Sequence, residues 1–182
     1  MQIRAAMMND LTALTELFQA IELVEIGRAE TNKADIRHIL ITPELDLERR
    51  SCVYEKDGDI IGFAALHFAP HADQFRAHLG VSPVAPDSLA DALLRQIEEW
   101  AQKQTATAGR ERESVTLFQM PQALATPALQ DHGWHVVRRY SRLIIDLNGE
   151  RPSLLQLLPE PRFGSRLVTT IGAACMRCWR KR

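Results

Sequence analysis

The sequence lacks long apolar runs and has few cysteines. No stretch of its 182 residues approaches the roughly 18–20 consecutive apolar residues that a helix needs to cross a bilayer. The N-terminal segment MQIRAAMMNDL contains no signal-peptide apolar region. The three cysteines, Cys52, Cys175 and Cys178, are too few and too unevenly placed for a disulfide framework. We therefore expect a cytoplasmic protein and no membrane partner.

The composition is that of a folded globular protein, with 46% apolar and 25% charged residues. The net charge of −1 hides an asymmetry, because residues 151–182 contain seven basic residues and one acidic residue. Residues 1–150 therefore carry a net charge near −7. Because phosphate contacts need clustered cations, we expect no nucleic-acid partner for this acidic part.

The first half of the sequence predicts a strand, two helices and a hairpin. QIRAA is typical of a short strand, and Asn9 is a candidate N-cap for the first helix. That helix has apolar residues at helical spacing: Leu11, Leu14, Phe18 and Ile21. Thr31 or Asn32 caps a second, shorter helix. Two apolar runs flank Asp57-Gly58, the preferred pair for a two-residue hairpin turn.

The second half predicts another strand, a long amphipathic helix over about 88–103, a strand, a short helix and one or two closing strands. A capping-box-like pair, Ser88 and Asp91, marks the start of the long helix. The element order indicates an α/β fold with a mixed sheet and helices on both faces. Turn residues cluster at 148–153, so we place the end of the domain at 147.

Four segments together resemble one enzyme superfamily. They are IRAAMMNDLTAL, YEKDGDIIGFAAL, LGVSP followed by LADALLRQIEEWA, and ALQDHGWHVVRRYSRLIIDL. In this order they resemble the GNAT (GCN5-related N-acetyltransferase) acyltransferases over residues 2–147, and in detail the N-terminal half of tandem-GNAT proteins. The resemblance implies a three-layer acyl-CoA N-acyltransferase fold, acetyl-CoA as the cofactor and a small amine as the acceptor. It also implies a homodimer or a second GNAT-like domain as partner.

The resemblance places the cofactor's diphosphate at the start of the long helix, where backbone amides lack partners. The residues implied are Asp87, Ser88, Leu89 and Ala90. The preceding loop, PVAPDS at 83–88, departs from the family pattern because it has no glycine and no basic residue. Pro86 has no amide donor, and the Asp87 charge opposes a diphosphate. Alternatively, Asp87 or Ser88 caps the helix itself.

The resemblance also implies that two neighbouring strands diverge and that pantetheine pairs with the free edge of the first. Leu79, Val81 and Ser82 occupy that edge, and Gly80 marks either a bulge or a bend.

Catalytic candidates are sparse. The family's tyrosine acid stands four residues before the glycine of a turn, which here is Gly133, and the residue at that position is Leu129. Tyr140 lies later and is either a replacement or a packing residue. His78 and Glu113 are candidate bases, although a strand histidine is also typical of a structural hydrogen bond. The other histidines show no metal-ligand pattern.

Residues 148–182 form a linker and a basic C-terminal tail with two interpretations. SRLVTTIGAACMRCWRKR fits a basic amphipathic helix that docks on a partner or membrane. Alternatively, residues 164–169 begin a truncated second copy of the fold.

Three functions therefore remain open. The first is an acetyl-CoA-dependent N-acetyltransferase with a degenerate diphosphate loop. The second is an inactive domain with a structural or regulatory role, and the third is a protein that docks through its tail.

Overall fold

The fold is a seven-stranded mixed sheet with helices on both faces. The computed structural model describes residues 2–69, 74–108, 115–119, 125–142 and 174–181. The elements are β1 (Gln2–Arg4), a 3-10 helix (Met8–Asp10), α1 (Leu11–Ile26), α2 (Lys33–Leu40), α3 (Leu47–Arg50), β2 (Ser51–Lys56), β3 (Asp59–Ala69), β4 (Gln74–Val81), α4 (Ser88–Ala108), β5 (Val115–Gln119), α5 (Thr126–Asp131), β6 (His135–Arg142) and β7 (Ala174–Lys181). The strand order is β1-β2-β3-β4-β5-β7-β6, in which β4 and β5 are parallel and the other pairs are antiparallel.

Each face of the sheet has its own apolar core. On one face, α1 and α2 pack on Val53, Phe63 and Ala65 of β2 and β3. On the other face, α4 packs on β3 and β4, and its Leu93 and Ile97 are fully buried. Burying one such side chain stabilises the fold by roughly 1.5–3 kcal/mol. The predicted three-layer α/β architecture is thus confirmed. None of the helices in the described ranges combines the length and apolar character that a membrane span requires.

The local turn and cap signals account for two connections. Asp57 and Gly58 both have positive φ angles, 55° and 93°, and Lys56 pairs directly with Asp59. This is the predicted two-residue hairpin turn. At the start of α2, the Asn32 side chain accepts hydrogen bonds from the amides of the first turn, so Asn32 is the cap.

The entry into α1 differs from the prediction that Asn9 caps it. A 3-10 turn precedes the helix, and the buried carboxylate of Asp10 accepts the Met7 amide at 2.7 Å. The guanidinium of Arg4 donates two hydrogen bonds to Asp10, both at 2.7 Å, and also pairs with Glu55 of β2. The ion pairs fix this turn against the edge of the sheet, which a capping pattern alone does not reveal.

Gly80 allows α1 to approach β4 closely. A Cβ atom at this position would lie 3.1 Å from Cζ of Phe18 and 3.5 Å from Cδ1 of Ile21. The pairing of β3 with β4 is regular from Gly62↔Val81 to Ala69↔Gln74. Gly80 therefore marks close helix packing and not the bulge that was one of its two interpretations.

The last described strand belongs to the same sheet as the others. β7 lies between β5 and β6, with Leu117 paired to Trp179 and Tyr140 paired to Met176. The prediction of an amphipathic helix is therefore wrong for residues 174–181. This segment lies between two strands, where its backbone gains hydrogen-bond partners on both sides. The predicted boundary after residue 147 and the first strand of a second copy, at 164–169, lie outside the described residues.

We expect the Arg4–Asp10 pair to stabilise the fold in a pH-dependent way. Burial alone raises the pKa of Asp10, but the hydrogen bonds from Arg4 and Met7 outweigh burial, so its pKa is lowered from 3.8. A lowered folded-state pKa contributes stability that is complete above the unfolded-state value and is lost as the pH falls through the folded-state value. Asp10→Asn should therefore lower the free energy of unfolding by about 2–4 kcal/mol at pH 7 and by much less below about pH 3.

Urea denaturation at several pH values measures this difference. Asp59→Asn, an exposed acid at the hairpin, is the matched control and should change stability by less than about 0.5 kcal/mol. Equal losses for the two variants at pH 7 would contradict the role assigned to Asp10.

Candidate functional site

The sheet opens between β4 and β5. These parallel strands pair only from Phe75↔Val115 to Ala77↔Leu117. Beyond that point β4 continues to Val81 and β5 to Gln119, without further pairing between them in this register. The opening therefore lies at the C-terminal ends of the two strands, where α4 also begins.

The backbone of β4 alternates between its two sides. The amide of Ser82 donates to the Ile61 carbonyl of β3 at 2.9 Å. In an antiparallel pair the bonded positions alternate, so Leu79 and Val81 direct their amides and carbonyls towards the β5 side. Their side chains are buried beneath α4. Of the three predicted edge residues, Leu79 and Val81 therefore face the β5 side, whereas the amide of Ser82 is bonded to β3.

The loop between β4 and α4 is a tight turn. The Ala85 amide donates to the Ser82 carbonyl at 3.0 Å, and the Leu89 amide donates to the Pro86 carbonyl at 2.9 Å. Asp87 and Ser88 are exposed. Within the described part of the chain, no hydrogen bond joins either of their side chains to an α4 amide. The expected self-capping by Asp87 or Ser88 is not seen, and a backbone carbonyl takes one helix amide instead.

The four residues implied for the diphosphate site lie together at this helix start. Asp87 and Ser88 present their side chains to solvent, whereas Leu89 and Ala90 bury theirs in the core beneath α4. Leu89 and Ala90 can therefore contact a ligand only through backbone groups.

His78 stands where β4 and β5 separate, directly after Ala77. It pairs with Ala65 of β3, so its side chain lies on the α1 face, as do the side chain of Arg76 and the Cα atom of Gly80. The ring of His78 stacks on that of His67, with the ring centroids 5.3 Å apart and the planes at 21°. His67 is buried, and its Nδ1 has no hydrogen-bond partner among the described residues.

Burial and neighbouring charges keep both rings neutral. Burial, followed by the effects of His67, Arg76 and His38, lowers the pKa of His78 to about 3. Burial and Arg76 also lower the pKa of His67, and Glu44 opposes them only in part. His78 thus has an available lone pair at neutral pH but is a weak base.

Of the remaining catalytic candidates, Tyr140 lies apart from His78. Tyr140 lies on β6, which β5 and β7 separate from β4, so three strand spacings of about 4.8 Å lie between the backbones. Glu113 lies outside the described residues. Leu129 is fully buried in α5 before the Gly133 turn, and its apolar side chain cannot donate a proton.

Sequence reasoning missed the His67 partner of His78. The sequence alone carries no signal for it, because the contact depends on the register of the β3–β4 pair. In that register Arg76 lies opposite His67, and His78 takes the next position on the same face. Within the described ranges, no group of three or more His, Cys, Asp or Glu residues is arranged to hold a metal ion.

We expect the His78 ring to remain neutral across the physiological range. In NMR titrations of the folded protein, the His78 ring signals, assigned by their loss in His78→Gln, should stay constant over about pH 5–8. They should titrate in urea, where the ring is solvated. A signal that titrates near pH 6.5 in the folded state would contradict the shielding inferred from the structure.

The same shift predicts a loss of stability in acid. The folded state resists protonation of His78 whereas the unfolded state does not. The unfolded state therefore binds more protons, and stability declines as the pH falls below about 6.5. His78→Gln should reduce this decline in urea denaturation.

Comparison with known proteins supports one family. A family model described as Acetyltransferase (GNAT) family matches residues 11–114. No curated protein sequence matches the chain. Among solved structures, a GCN5-related N-acetyltransferase from Sphaerobacter thermophilus is similar, with a TM-score of 0.70 and 20% identity. That match covers 84% of this chain and 49% of the other, so the chain spans about half the length of that relative.

Two further structures match over nearly their whole length. A ribosomal-protein-alanine N-acetyltransferase from Brucella melitensis has a TM-score of 0.59 and 15% identity, covering 100% of this chain and 99% of the other. A putative acetyltransferase from Salmonella typhimurium, solved with its cofactor acetyl-CoA, has a TM-score of 0.58 and 16% identity, covering 100% and 92%. These structural likenesses show the fold, and the family model spans more than half of the chain. The chain belongs to the GNAT acetyltransferase family.

Proposed function

We propose that the protein is an acetyl-CoA-dependent N-acetyltransferase that acts on a small amine. The observation that carries this proposal is the separation of β4 and β5 beyond Ala77, beside the start of α4. A diverging pair of parallel strands leaves a cleft with backbone donors and acceptors along one wall, which an extended amide-containing chain such as pantetheine can pair with.

The two ends of the cleft suit different parts of the cofactor. The backbone of Val81 faces the gap and offers one donor and one acceptor to the pantetheine amides. The start of α4 offers a positive helix end to the diphosphate. Pro86 and Asp87 oppose this second contact, the first because it has no amide donor and the second through its charge. We therefore propose that pantetheine contacts contribute more of the cofactor affinity here than they do in proteins whose diphosphate loop is rich in glycine.

His78 is the proposed proton acceptor. Acetyl-CoA would supply the acetyl group as a thioester. The neutral His78 ring lies where the strands part, and it would accept the proton that the acceptor amine loses as its bond to the acetyl group forms. Because Leu129 cannot donate a proton, the thiol would take its proton from solvent. Glu113 and Tyr140 remain secondary candidates for these steps.

A second candidate is a non-catalytic domain with a structural or regulatory role. Two observations favour it: buried Leu129 replaces the acid, and the exposed carboxylate of Asp87 stands beside the helix start. It differs from the first proposal in requiring no cofactor binding.

Calorimetric titration with acetyl-CoA tests the proposal. We expect saturable binding with a Kd between about 1 μM and 1 mM. Asp87→Asn removes the opposing charge without changing the shape of the side chain and should tighten binding by about two- to fivefold. Asp87→Gly should tighten it at least as much, because glycine also lets the backbone approach the phosphates.

The matched control is Glu16→Gln, an exposed acid on α1 at the opposite face of the sheet, which should leave the affinity unchanged. No heat of binding at millimolar acetyl-CoA would overturn the acetyltransferase proposal and favour the non-catalytic domain. Unchanged or weaker binding by both Asp87 variants would contradict the electrostatic argument alone.

The role of His78 has a separate kinetic test. With an amine that gives measurable thiol release, His78→Gln should lower kcat and leave the Kd for acetyl-CoA unchanged. Because His78 is a weak base, we expect a loss no larger than the lower end of the roughly 10²–10⁴-fold range of general bases. His135→Gln, at an exposed position on β6, is the control. An unchanged kcat for His78→Gln would remove His78 as the proton acceptor.

A further inference from the structure

An imidazole from the α5–β6 turn bridges two carboxylates of α4. Nδ1 of His132 lies 3.2 Å from Oε1 of Glu98, and its Nε2 lies 3.4 Å from Oδ1 of Asp91. The indole of the buried Trp134 donates to the same Glu98 oxygen at 3.0 Å. Asp91 and Glu98 stand seven residues apart, two turns along one face of the helix.

A proton on each ring nitrogen would let His132 donate to both acids. An ionised carboxylate only accepts hydrogen bonds, so Nδ1 must carry a proton to donate to Glu98. A neutral ring protonated there would point the lone pair of Nε2 at the Asp91 carboxylate. Only the imidazolium offers an attractive group to both acids at once.

The remaining charged groups around His132 are exposed to solvent. They are Arg95 on α4, Asp131 at the end of α5 and His135 at the start of β6. Within the part of the chain that the structure describes, Asp91 and Glu98 are the acids that form ion pairs with His132. The side chain of His132 is 14% exposed and that of Glu98 is 17% exposed, whereas that of Asp91 is 42% exposed, so solvent screens the contact with Asp91 more than the contact with Glu98.

The bridge reaches the helix end to which the proposed function assigns the diphosphate. Asp91 lies in the first turn of α4, three residues after Ser88. The loop at 83–87 supplies no basic side chain and adds Asp87. Without a counter-charge, Asp91 would increase the negative potential where a diphosphate must bind.

We propose that His132 is a positioning residue for the cofactor, supplying from the α5–β6 turn the positive charge that the loop before α4 lacks. Its imidazolium neutralises Asp91 and ties the first turn of α4 to Glu98 and Trp134. The inference rests on the proposed acetyl-CoA site and adds that diphosphate affinity depends on a histidine outside the loop.

The test is the affinity for acetyl-CoA. His132→Gln retains an amide donor for Glu98 but carries no charge. It should bind acetyl-CoA about two- to fivefold more weakly than the wild type.

Three controls separate charge from structure. His135→Gln makes the same replacement at an exposed position and should behave as the wild type. Asp91→Asn should restore the affinity that His132→Gln loses when the two changes are combined. Acetyl-pantetheine has no diphosphate, so its affinity should not respond to His132→Gln.

The outcomes distinguish this inference from the function on which it rests. If wild-type protein binds acetyl-CoA but His132→Gln binds equally well, the inference is overturned and the proposed function stands. An equal loss of affinity for acetyl-pantetheine would show that His132 only stabilises the structure, and this result would also overturn the inference. If the wild type binds no acetyl-CoA, both fail together.

Discussion

The structure depends on the unequal strand pairing along the two edges of β4. One side pairs with β3 over the whole length of the strand, whereas the other pairs with β5 over three residues only. The strand can leave part of one edge unpaired by β5 because β3 and the helices above and below keep it in place. Successive residues of a strand direct their side chains to opposite faces of the sheet. Leu79 and Val81 therefore bury their side chains under α4, and their backbone groups face the gap. The side chain of His78 lies in the α1 layer instead.

Local signals predicted those parts of the fold that neighbouring residues determine. Asp57-Gly58 specified its turn and Asn32 its cap, because each acts within a few bonds of its own position. Asp10 was missed because its role depends on Arg4 and Glu55, and Glu55 lies on a strand 45 residues later. The short helix α3 was also missed, since four residues are too few to show a helical period.

For the candidate site, the sequence predicted which face of its own strand each side chain lies on. Alternation put His78 on the face of Gly80, and the resemblance put Leu129 in the place of an acid. Pairing across strands was not readable from one sequence. His67 therefore went unnoticed as a partner, and Tyr140 was kept as a catalytic candidate although two strands separate its strand from that of His78. His132 was missed for the same reason, since its acids belong to a helix about 35 residues earlier in the chain.

The position of β7 has a consequence for how the chain folds. The 54 residues at 120–173 separate β5 from β7 in the sequence, and β6 can pair with β7 only after β7 has formed. During synthesis, β5 and β6 leave the ribosome well before β7, the strand that lies between them. Until β7 forms, each has an unpaired edge that can pair with another chain. Closing so long a loop is slow. We therefore expect the part of the sheet made by β5, β6 and β7 to form last and to depend most on chaperones.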